Sequence, residues 1–382
     1  MSTADPTRTR TTRPITEYFA VLRDPRIELK CEHDFMAIIM ICFVGTLLGA
    51  DDFVGMRQIA VGKREWLQNR LRLNLTNGIP SHDTLTRVFG ALDPEAFEGA
   101  FRDWVGDLVG DLKLQHIPID GKESRGSKAG GRKALRVVSA WARANGVTLG
   151  QVQVSGDSNE IPAIPELLRL LDISGALVSI DAIGCQTEIA AQVIEQKGDY
   201  LLAVKGNQPH LLEDITTLVD AALENEFADL SQATTTDQKH GRLETRFCFV
   251  IDNLEGIRDL NRWAELKSVI GLISTREING KTSEEVRYYI SSRKASAEVF
   301  LDAIRGHWSI ENNCHWVLDV VFREDDHRLR EGHGPANMSI IRKMALAMLK
   351  KANTKIGIKN KRLRAAVDED FLEHILRDFL ED

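Results

Sequence analysis

The sequence predicts an α/β fold in which a mixed sheet follows a helical N-terminal region. From residue 116 to residue 204 the apolar pattern changes repeatedly between strand and helix, in the order strand, hairpin pair, helix, strand, helix, strand. The first and fourth of these strands each end in an aspartate, Asp120 and Asp181. Open α/β sheets carry their sites at the carboxyl ends of strands, so the two aspartates are candidate functional residues.

The N-terminal region, residues 14–110, predicts mostly helices. Candidate helices cover residues 16–21, 35–50, 56–70, 81–92 and 94–108, and Ser81 has the sequence context of an N-cap. Residues 1–13 are polar and basic, and predict a disordered arm. The region has no catalytic cluster, which favours a role in recognition or assembly.

The apolar run at residues 35–50 is sixteen residues long. A membrane span needs about 20, so a buried core helix is the preferred interpretation and a membrane helix is the minority one. The chain has 382 residues and a hydrophobic content of 43%, as expected for a globular protein of two or three domains. Its five cysteines contain no CxxC pair, which argues against a disulfide framework and favours the cytoplasm.

The sheet region continues past residue 204 with a β-rich insertion. Strands are predicted at residues 116–120, 134–144, 147–155, 176–180 and 200–204, with helices at 164–171 and 187–196. The insertion, about residues 205–300, should contain a helix at 209–223, a Thr-rich loop at 234–237 and strands at 243–251, 269–275 and 286–291. A helix at 335–351 and a basic-then-acidic tail at 351–382 follow.

Residues 304–326 predict a single amphipathic helix rich in reactive side chains. His307, Glu311 and His315 are spaced four residues apart and therefore share one face. This face is either a polar stripe at a domain interface or a catalytic or metal-binding surface. Zinc lacks support because neither HExxH nor a cysteine ligand accompanies the histidines. Two tryptophans of the segment are predicted to pack in the core rather than to stack on bases, Trp308 and Trp316.

The three acids suggest a site made of oxygen ligands. If the strands are neighbours, Asp120 and Asp181 come close together, and Glu311 can reach them from a packed helix. Such a site suits Mg²⁺ or Mn²⁺, and a pair of these ions can act on both the attacking and the leaving oxygen at phosphorus. The alternative for each aspartate alone is a turn or helix cap.

The net charge of −7 does not by itself indicate a nucleic-acid partner. Two segments are nevertheless strongly basic: residues 342–364 hold nine Lys/Arg and no acid, and residues 122–136 hold six against one acid. Such patches are compatible with phosphate binding and equally with solvated helix faces.

Five segments together resemble bacterial insertion-sequence transposases of the DDE class, with the H-repeat-associated proteins as the nearest group. They are IPSHDTLTRVFGALDPEAFEGAF (79–101), PIDGKESRGS (118–127), SIDAIGCQTEIA (179–190), DYLLAVKGNQPHL (199–211) and HWSIENNCHWVLDVVFREDD (307–326). The resemblance covers roughly residues 14–350. It implies an RNase H-like catalytic domain over residues 112–350, with a strand insertion, preceded by a helical transposase-associated domain.

The resemblance also implies functional residues. The metal-binding triad would be Asp120, Asp181 and Glu311, holding two Mg²⁺ (or Mn²⁺) ions. Related cut-and-paste transposases carry Tyr, Arg and Lys at three positions of the glutamate helix that differ here: Ile304, His307 and Leu318. In their place, we expect DNA contacts from Arg305, His307 and His315. Further expected DNA contacts are Lys122, Lys205, Arg242, Arg342 and Lys343.

The implied function is DNA transposition, with cleavage at the element's ends and transfer of the 3′-hydroxyl to target DNA. The expected partners are the terminal inverted repeats, target DNA and a second copy of the chain during synapsis, with no membrane. The protein would be cytoplasmic and nucleoid-associated when bound to DNA. Two alternatives stay open: an RNase H-like nuclease without strand transfer, and a domesticated, non-catalytic DNA-binding protein.

Overall fold

The computed structural model describes residues 13–128, 131, 133–156, 158–239, 241–377 and 380. The arm predicted at residues 1–13 lies outside this part of the chain except for Arg13.

In the described part of the N-terminal region, the structure has six α-helices. They are α1 (Ile15–Phe19), α2 (Phe35–Leu47), α3 (Phe53–Gly62), α4 (Arg64–Arg70), α5 (His82–Ala91) and α6 (Pro94–Val109). The helix predicted at residues 56–70 is two helices that meet at Lys63. Helix α5 begins as predicted, because the Ser81 hydroxyl accepts the Thr84 amide at 3.2 Å.

Helix α2 is the core helix that its composition predicts. Its residues 37–47 are all buried, and it packs on α3 and on a long C-terminal helix. In the part of the chain that the structure describes, no helix is both long and apolar enough to cross a membrane.

One nine-stranded mixed sheet forms the centre of the molecule. Its strands are β1 (His116–Ser124), β2 (Leu135–Ala142), β3 (Val147–Gln153), β4 (Leu177–Ile180), β5 (Asp199–Val204), β6 (Ser231–Lys239), β7 (Arg242–Ile251), β8 (Ser268–Ile278) and β9 (Lys281–Ser291). The order is β3-β2-β1-β4-β5-β9-β8-β7-β6. Strands β1 to β3 are antiparallel, and β4 and β5 run parallel to β1. The predicted RNase H-like mixed sheet is thereby confirmed.

The β-rich insertion extends this sheet, because β9 pairs antiparallel with β5. The loop predicted at residues 234–237 is wrong, since these residues lie in β6 and pair with β7. The threonines there are β-branched, and that favours a strand over a turn. The β8–β9 hairpin turns at Asn279, with a φ of 50°, and Gly280, with a φ of 72°. A two-residue type I′ hairpin turn requires a positive φ at both positions.

Eight further α-helices are present among the described residues. They are α7 (Ala163–Arg169), α8 (Thr187–Glu195), α9 (Pro209–Glu224), α10 (Ala297–His307), α11 (Trp316–Val320), α12 (Gly334–Lys351), α13 (Ile358–Val367) and α14 (Glu369–Leu376). Residues 336–349 of α12 are all buried, and α12 packs on α2, α5, α6 and β3. It therefore joins the N-terminal helices to the sheet.

The C-terminal segment is folded onto the N-terminal helices. Arg362 of α13 is only 5% exposed and donates to the carbonyl of Thr46 at 2.9 Å. Lys361 donates to the carbonyl of Leu349 at 2.9 Å, near the end of α12. Both cations belong to the basic run that was predicted to be a solvated or phosphate-binding surface. In the structure they donate hydrogen bonds to buried carbonyl groups.

The continuous helix predicted at residues 304–326 is wrong. Helix α10 reaches only His307, a wider π turn covers Glu311–His315, and α11 ends at Val320. Arg323 then takes the left-handed conformation, with a φ of 51°, before a short 3₁₀ turn. The apolar repeat identifies a helical segment but does not reveal the extra residue of a π turn.

Candidate active site

Asp120 and Asp181 lie side by side on neighbouring strands. Strands β1 and β4 are parallel, and Ile119 is the register partner of Ile180. Asp120 follows Ile119 within β1, and Asp181 follows Ile180 just past the end of β4, so their backbones are about one interstrand spacing apart, roughly 4.8 Å. The prediction that β1 ends at Asp120 is wrong: β1 continues to Ser124 because β2 still pairs with it there.

The pair concentrates negative charge. Partial burial, and then the charge of Asp120, raise the pKa of Asp181 above its ordinary value. Asp181 also accepts the Ile183 amide at 3.2 Å, so the turn-cap alternative is correct for one of its oxygens. A cap alone does not explain a second carboxylate at the same place.

Glu311 faces the same cleft from the helical side. It is the first residue of the π turn, it is exposed, and it lines a cleft of about 640 Å³ together with Asp120 and Asp181. π turns within helices occur frequently at functional sites. The three acids that the sequence singled out therefore converge, although they come from β1, the end of β4 and a distant helix.

A further acid, Glu160, was missed by the sequence interpretation. It lies in the loop between β3 and α7, and a Cβ atom on Gly121 would collide with its carboxylate. Burial, followed by the charges of Asp120 and Asp181, raises the pKa of Glu160. The available signal was Gly121 itself, because a glycine within a strand often marks the close approach of another group.

The donor set of the cleft is compatible with a hard divalent cation. Its acids offer only oxygen ligands, which Mg²⁺ and Mn²⁺ prefer. Burial raises the pKa values of Asp181 and Glu160, and the charge of neighbouring carboxylates adds to the shift; a bound cation would offset that charge. Among the residues that the structure describes, no group of three ligand-type side chains is already close enough to enclose an ion.

Both predicted histidines are near the aspartates. His315 is buried, and its Nδ1 lies 3.5 Å from Oδ2 of Asp120. His307 lines the cleft, where burial lowers its pKa while the charges of Asp120 and Asp181 oppose that shift.

The prediction that Trp308 and Trp316 belong to the core is wrong. They are 45% and 56% exposed. Trp308 lines the cleft, and the guanidinium carbon of Arg287 lies 5.6 Å from its ring centre. Apolar periodicity cannot separate an aromatic ring in a core from one that borders a cleft.

Three predicted DNA contacts are on the surface. Lys205 follows β5 and lines the cleft. Arg305 pairs with Asp237 at 2.8 Å, and its side chain is 42% exposed. Arg242, with a side chain 46% exposed, pairs with Glu244 at 2.7 Å and is not among the residues that line the cleft.

The other three predicted DNA contacts are buried in this structure: Lys122, Arg342 and Lys343. Lys122 pairs with Asp319 at 2.6 Å. Arg342 lies 3.4 Å from Glu324, and Lys343 donates to the Ser139 hydroxyl at 2.9 Å. Their exposed fractions are 8%, 4% and 2%, so none of the three cations is presented to solvent in this structure.

Two family models match most of the chain. Residues 111–348 match the model described as the transposase DDE domain, and residues 16–105 match the model described as DDE_Tnp_1-associated.

The similarity to known relatives extends over nearly the full length of this chain. YncI of Escherichia coli O157:H7 is 38% identical over 369 residues, covering 95% of this chain and 94% of that protein. YhhI of Escherichia coli K12, which is H repeat-associated, is 34% identical over 379 residues, covering 95% and 98%. The names of both designate a transposase.

Among solved structures, the piggyBac transposase synaptic complex with hairpin DNA is similar over 92% of this chain and 75% of that chain. The TM-score is 0.41 and the identity 11%. A TM-score this low adds nothing to the assignment of the fold.

Proposed function

This chain belongs to the transposase DDE domain family and is a DNA transposase, and we propose that it cuts DNA at the ends of its element and transfers the freed 3′-hydroxyl to target DNA. The observation that carries the proposal is the convergence of Asp120, Asp181 and Glu311 on one cleft. Their residue types and their separate origins in the fold are what the triad of the class requires.

The triad would hold two Mg²⁺ or Mn²⁺ ions. Bound there, the ions would activate the attacking oxygen and stabilise the leaving oxygen at phosphorus. The protein's own contribution is to fix the carboxylates: strand pairing sets Asp120, the Ile183 amide orients Asp181, and His315 contacts Asp120 from behind.

The cleft and the exposed side of α10 offer groups suited to DNA. Lys205 and Arg305 are exposed cations that can contact phosphates, which would make binding weaken steeply with salt. The exposed ring of Trp308 offers a face on which an unpaired base can stack.

Further partners follow from the reaction. The N-terminal helices would help to recognise the inverted repeats, since helices commonly read the major groove. Bringing two ends together requires two copies of the chain, so a homodimer is proposed for the synapsed state. The reaction would take place in the cytoplasm, on nucleoid DNA.

The proposal is tested with the inverted repeats that flank the gene. A labelled duplex carrying one repeat, incubated with the full chain and Mg²⁺, should be cleaved at the repeat boundary, and adding a target plasmid should give a joined product. A duplex with a scrambled repeat and a reaction with EDTA are the controls. Cleavage without joining would indicate a nuclease, and binding without cleavage would indicate a non-catalytic DNA-binding protein.

Glu160→Gln is expected to weaken binding of Mn²⁺ to the full chain by about tenfold, because one negative charge beside Asp120 and Asp181 is removed while the size of the side chain is kept. Isothermal titration calorimetry measures this directly. Glu166→Gln, which removes the same charge from an exposed position on α7, is the matched control and should bind Mn²⁺ like the wild type. Equal affinity in the Glu160 and Glu166 variants would exclude Glu160 from the site.

A further inference from the structure

A chain of three hydrogen-bonded side chains, His116, Ser179 and His307, ends at the cleft. The Ser179 hydroxyl oxygen lies 2.7 Å from Nε2 of His116 and 2.8 Å from Nδ1 of His307. The three residues come from β4, β1 and α10, and Ser179 is only 2% exposed. Because Ser179 has a single proton, the two contacts cannot both be donated by its hydroxyl.

His116 determines the direction of this chain. Burial, and then the nearby charge of Arg143, lower the pKa of His116 to about 3, so the ring is neutral and carries one N–H. Its Nδ1 is buried and has no hydrogen-bonding partner among the residues that the structure describes. A buried N–H without a partner costs about 1–3 kcal/mol, whereas His116 Nε2 has Ser179 to donate to.

The proton on His116 then determines the proton positions on Ser179 and His307. His116 donates from Nε2 to the Ser179 oxygen, and Ser179 directs its own proton to Nδ1 of His307. Since Nδ1 of His307 accepts, the proton of the neutral ring is on Nε2. The ring itself lines the cleft that contains Asp120 and Asp181.

We propose that His116 and Ser179 are positioning residues that fix His307 as a neutral Nε2–H donor to a DNA phosphate oxygen in the cleft, and not as a metal ligand. This inference rests on the proposed function and names how the site holds its substrate. A nitrogen that carries a proton has no lone pair for a metal ion, so His307 would not compete with the acids. It would make one hydrogen bond where an arginine could make two.

The first test reads the tautomer directly, without any reaction. Long-range ¹H–¹⁵N correlation spectra of the full chain labelled with ring-¹⁵N histidine distinguish the two neutral forms, and His307→Gln identifies the His307 signals. We expect the Nε2–H form in the wild type, unchanged by Mg²⁺. We expect a mixture of both forms in His116→Phe, because Ser179 can then also accept. A wild-type Nδ1–H form, or loss of the Nε2 proton on adding Mg²⁺, would overturn the inference.

The second test uses cleavage and a matched pair of substitutions. In His307→Gln the amide nitrogen can take the place of Nε2, whereas the shorter side chain of His307→Asn reaches only the place of Nδ1. We expect kcat to fall by about 100-fold or more in the Asn variant, as for loss of one charge-stabilising donor, and by less than about tenfold in the Gln variant. Equal losses in the two variants would contradict a donor at Nε2.

Ser179 is tested by removing and then restoring its hydroxyl. Ser179→Ala should lower kcat by about tenfold, the value of one hydrogen bond, and Ser179→Thr should recover most of it. If kcat does not recover in Ser179→Thr although both variants have the same melting temperature, the role proposed for the hydroxyl is contradicted. If the wild type does not cleave DNA at all, the proposed function fails. The tautomer spectra still test the hydrogen-bonded chain of His116, Ser179 and His307 independently of cleavage.

Discussion

Asp181→Asn is expected to reduce cleavage of the transposon end by at least about a thousandfold, which corresponds to about 4 kcal/mol of transition-state stabilisation. The carboxylate of Asp181 is one of two that face each other at the end of β4 and in β1. Asparagine keeps the shape of the side chain but removes its charge, so the site loses its attraction for a divalent cation. Single-turnover cleavage of a labelled end duplex measures the effect.

The fold should survive this substitution. The Asp181 oxygen accepts the Ile183 amide at 3.2 Å, and the amide oxygen of asparagine can do the same. Because burial and the charge of Asp120 raise the pKa of Asp181, ionised Asp181 is unfavourable in the folded state near neutral pH. We therefore expect the melting temperature of Asp181→Asn to equal or exceed that of the wild type.

Asp172→Asn is the matched control. Asp172 is exposed and accepts the Ser174 amide at 3.1 Å, so it makes the same local turn outside the cleft. This variant should cleave like the wild type. Full activity in Asp181→Asn would remove Asp181 from the triad and leave it with the role of a turn cap.

The sequence pointed to the acid pair because each aspartate follows a short apolar run, while the pairing of β1 with β4 comes from the structure. Two short apolar runs ending in aspartate, joined through a hairpin and a helix, leave few arrangements in which those ends do not meet. Assigning Glu311 to the same site also depended on the family resemblance, because nothing in residues 205–300 predicts where a later helix packs against the sheet.

Glu160 could not be predicted in the same way. It lies in a loop, and its place beside Gly121 depends on how that loop packs. The π turn at Glu311–His315 was also missed, because it changes the spacing of side chains without changing their apolar pattern. Both features depend on tertiary contacts rather than on local propensity.

The buried cations were the largest error of the sequence interpretation. A run of basic residues was taken to be a surface, yet Arg342 and Lys343 are 4% and 2% exposed. Long side chains can be buried when acids and carbonyls meet them, and those partners are distant in sequence. Glu324 is such a partner, and it is itself only 2% exposed.

Glu324→Ala is expected to destabilise the protein by about 3–5 kcal/mol, because it leaves buried cations without their counter-charge. The Glu324 carboxylate lies 3.4 Å from both Lys122 and Arg342. For a chain of 382 residues, a loss of this size lowers the melting temperature by about 5 °C. Asp326→Ala is the control, because it removes another acid of the same turn whose side chain is 67% exposed. This substitution should change the melting temperature by less than about 1 °C.

The dependence on pH provides a second check. Burial by itself would raise the pKa of Glu324, but the charges of Arg342 and Lys122 outweigh it and hold the pKa below the ordinary 4.5. A depressed pKa means that the stabilisation is fully present above about pH 4.5 and is lost as the pH falls through the folded-state value. The difference in melting temperature between wild type and Glu324→Ala should therefore shrink in acid.

A double substitution separates charge compensation from simple packing. Arg342→Met alone leaves Glu324 facing one cation fewer, and Glu324→Ala alone leaves Arg342 uncompensated. The double variant should lose less stability than the sum of the two single losses, by about 1–3 kcal/mol, because neither charge then remains buried alone. Strict additivity would mean that the two residues act independently. A positive coupling would show that the two charges compensate each other inside an ion network that also includes Lys122, two residues from Asp120.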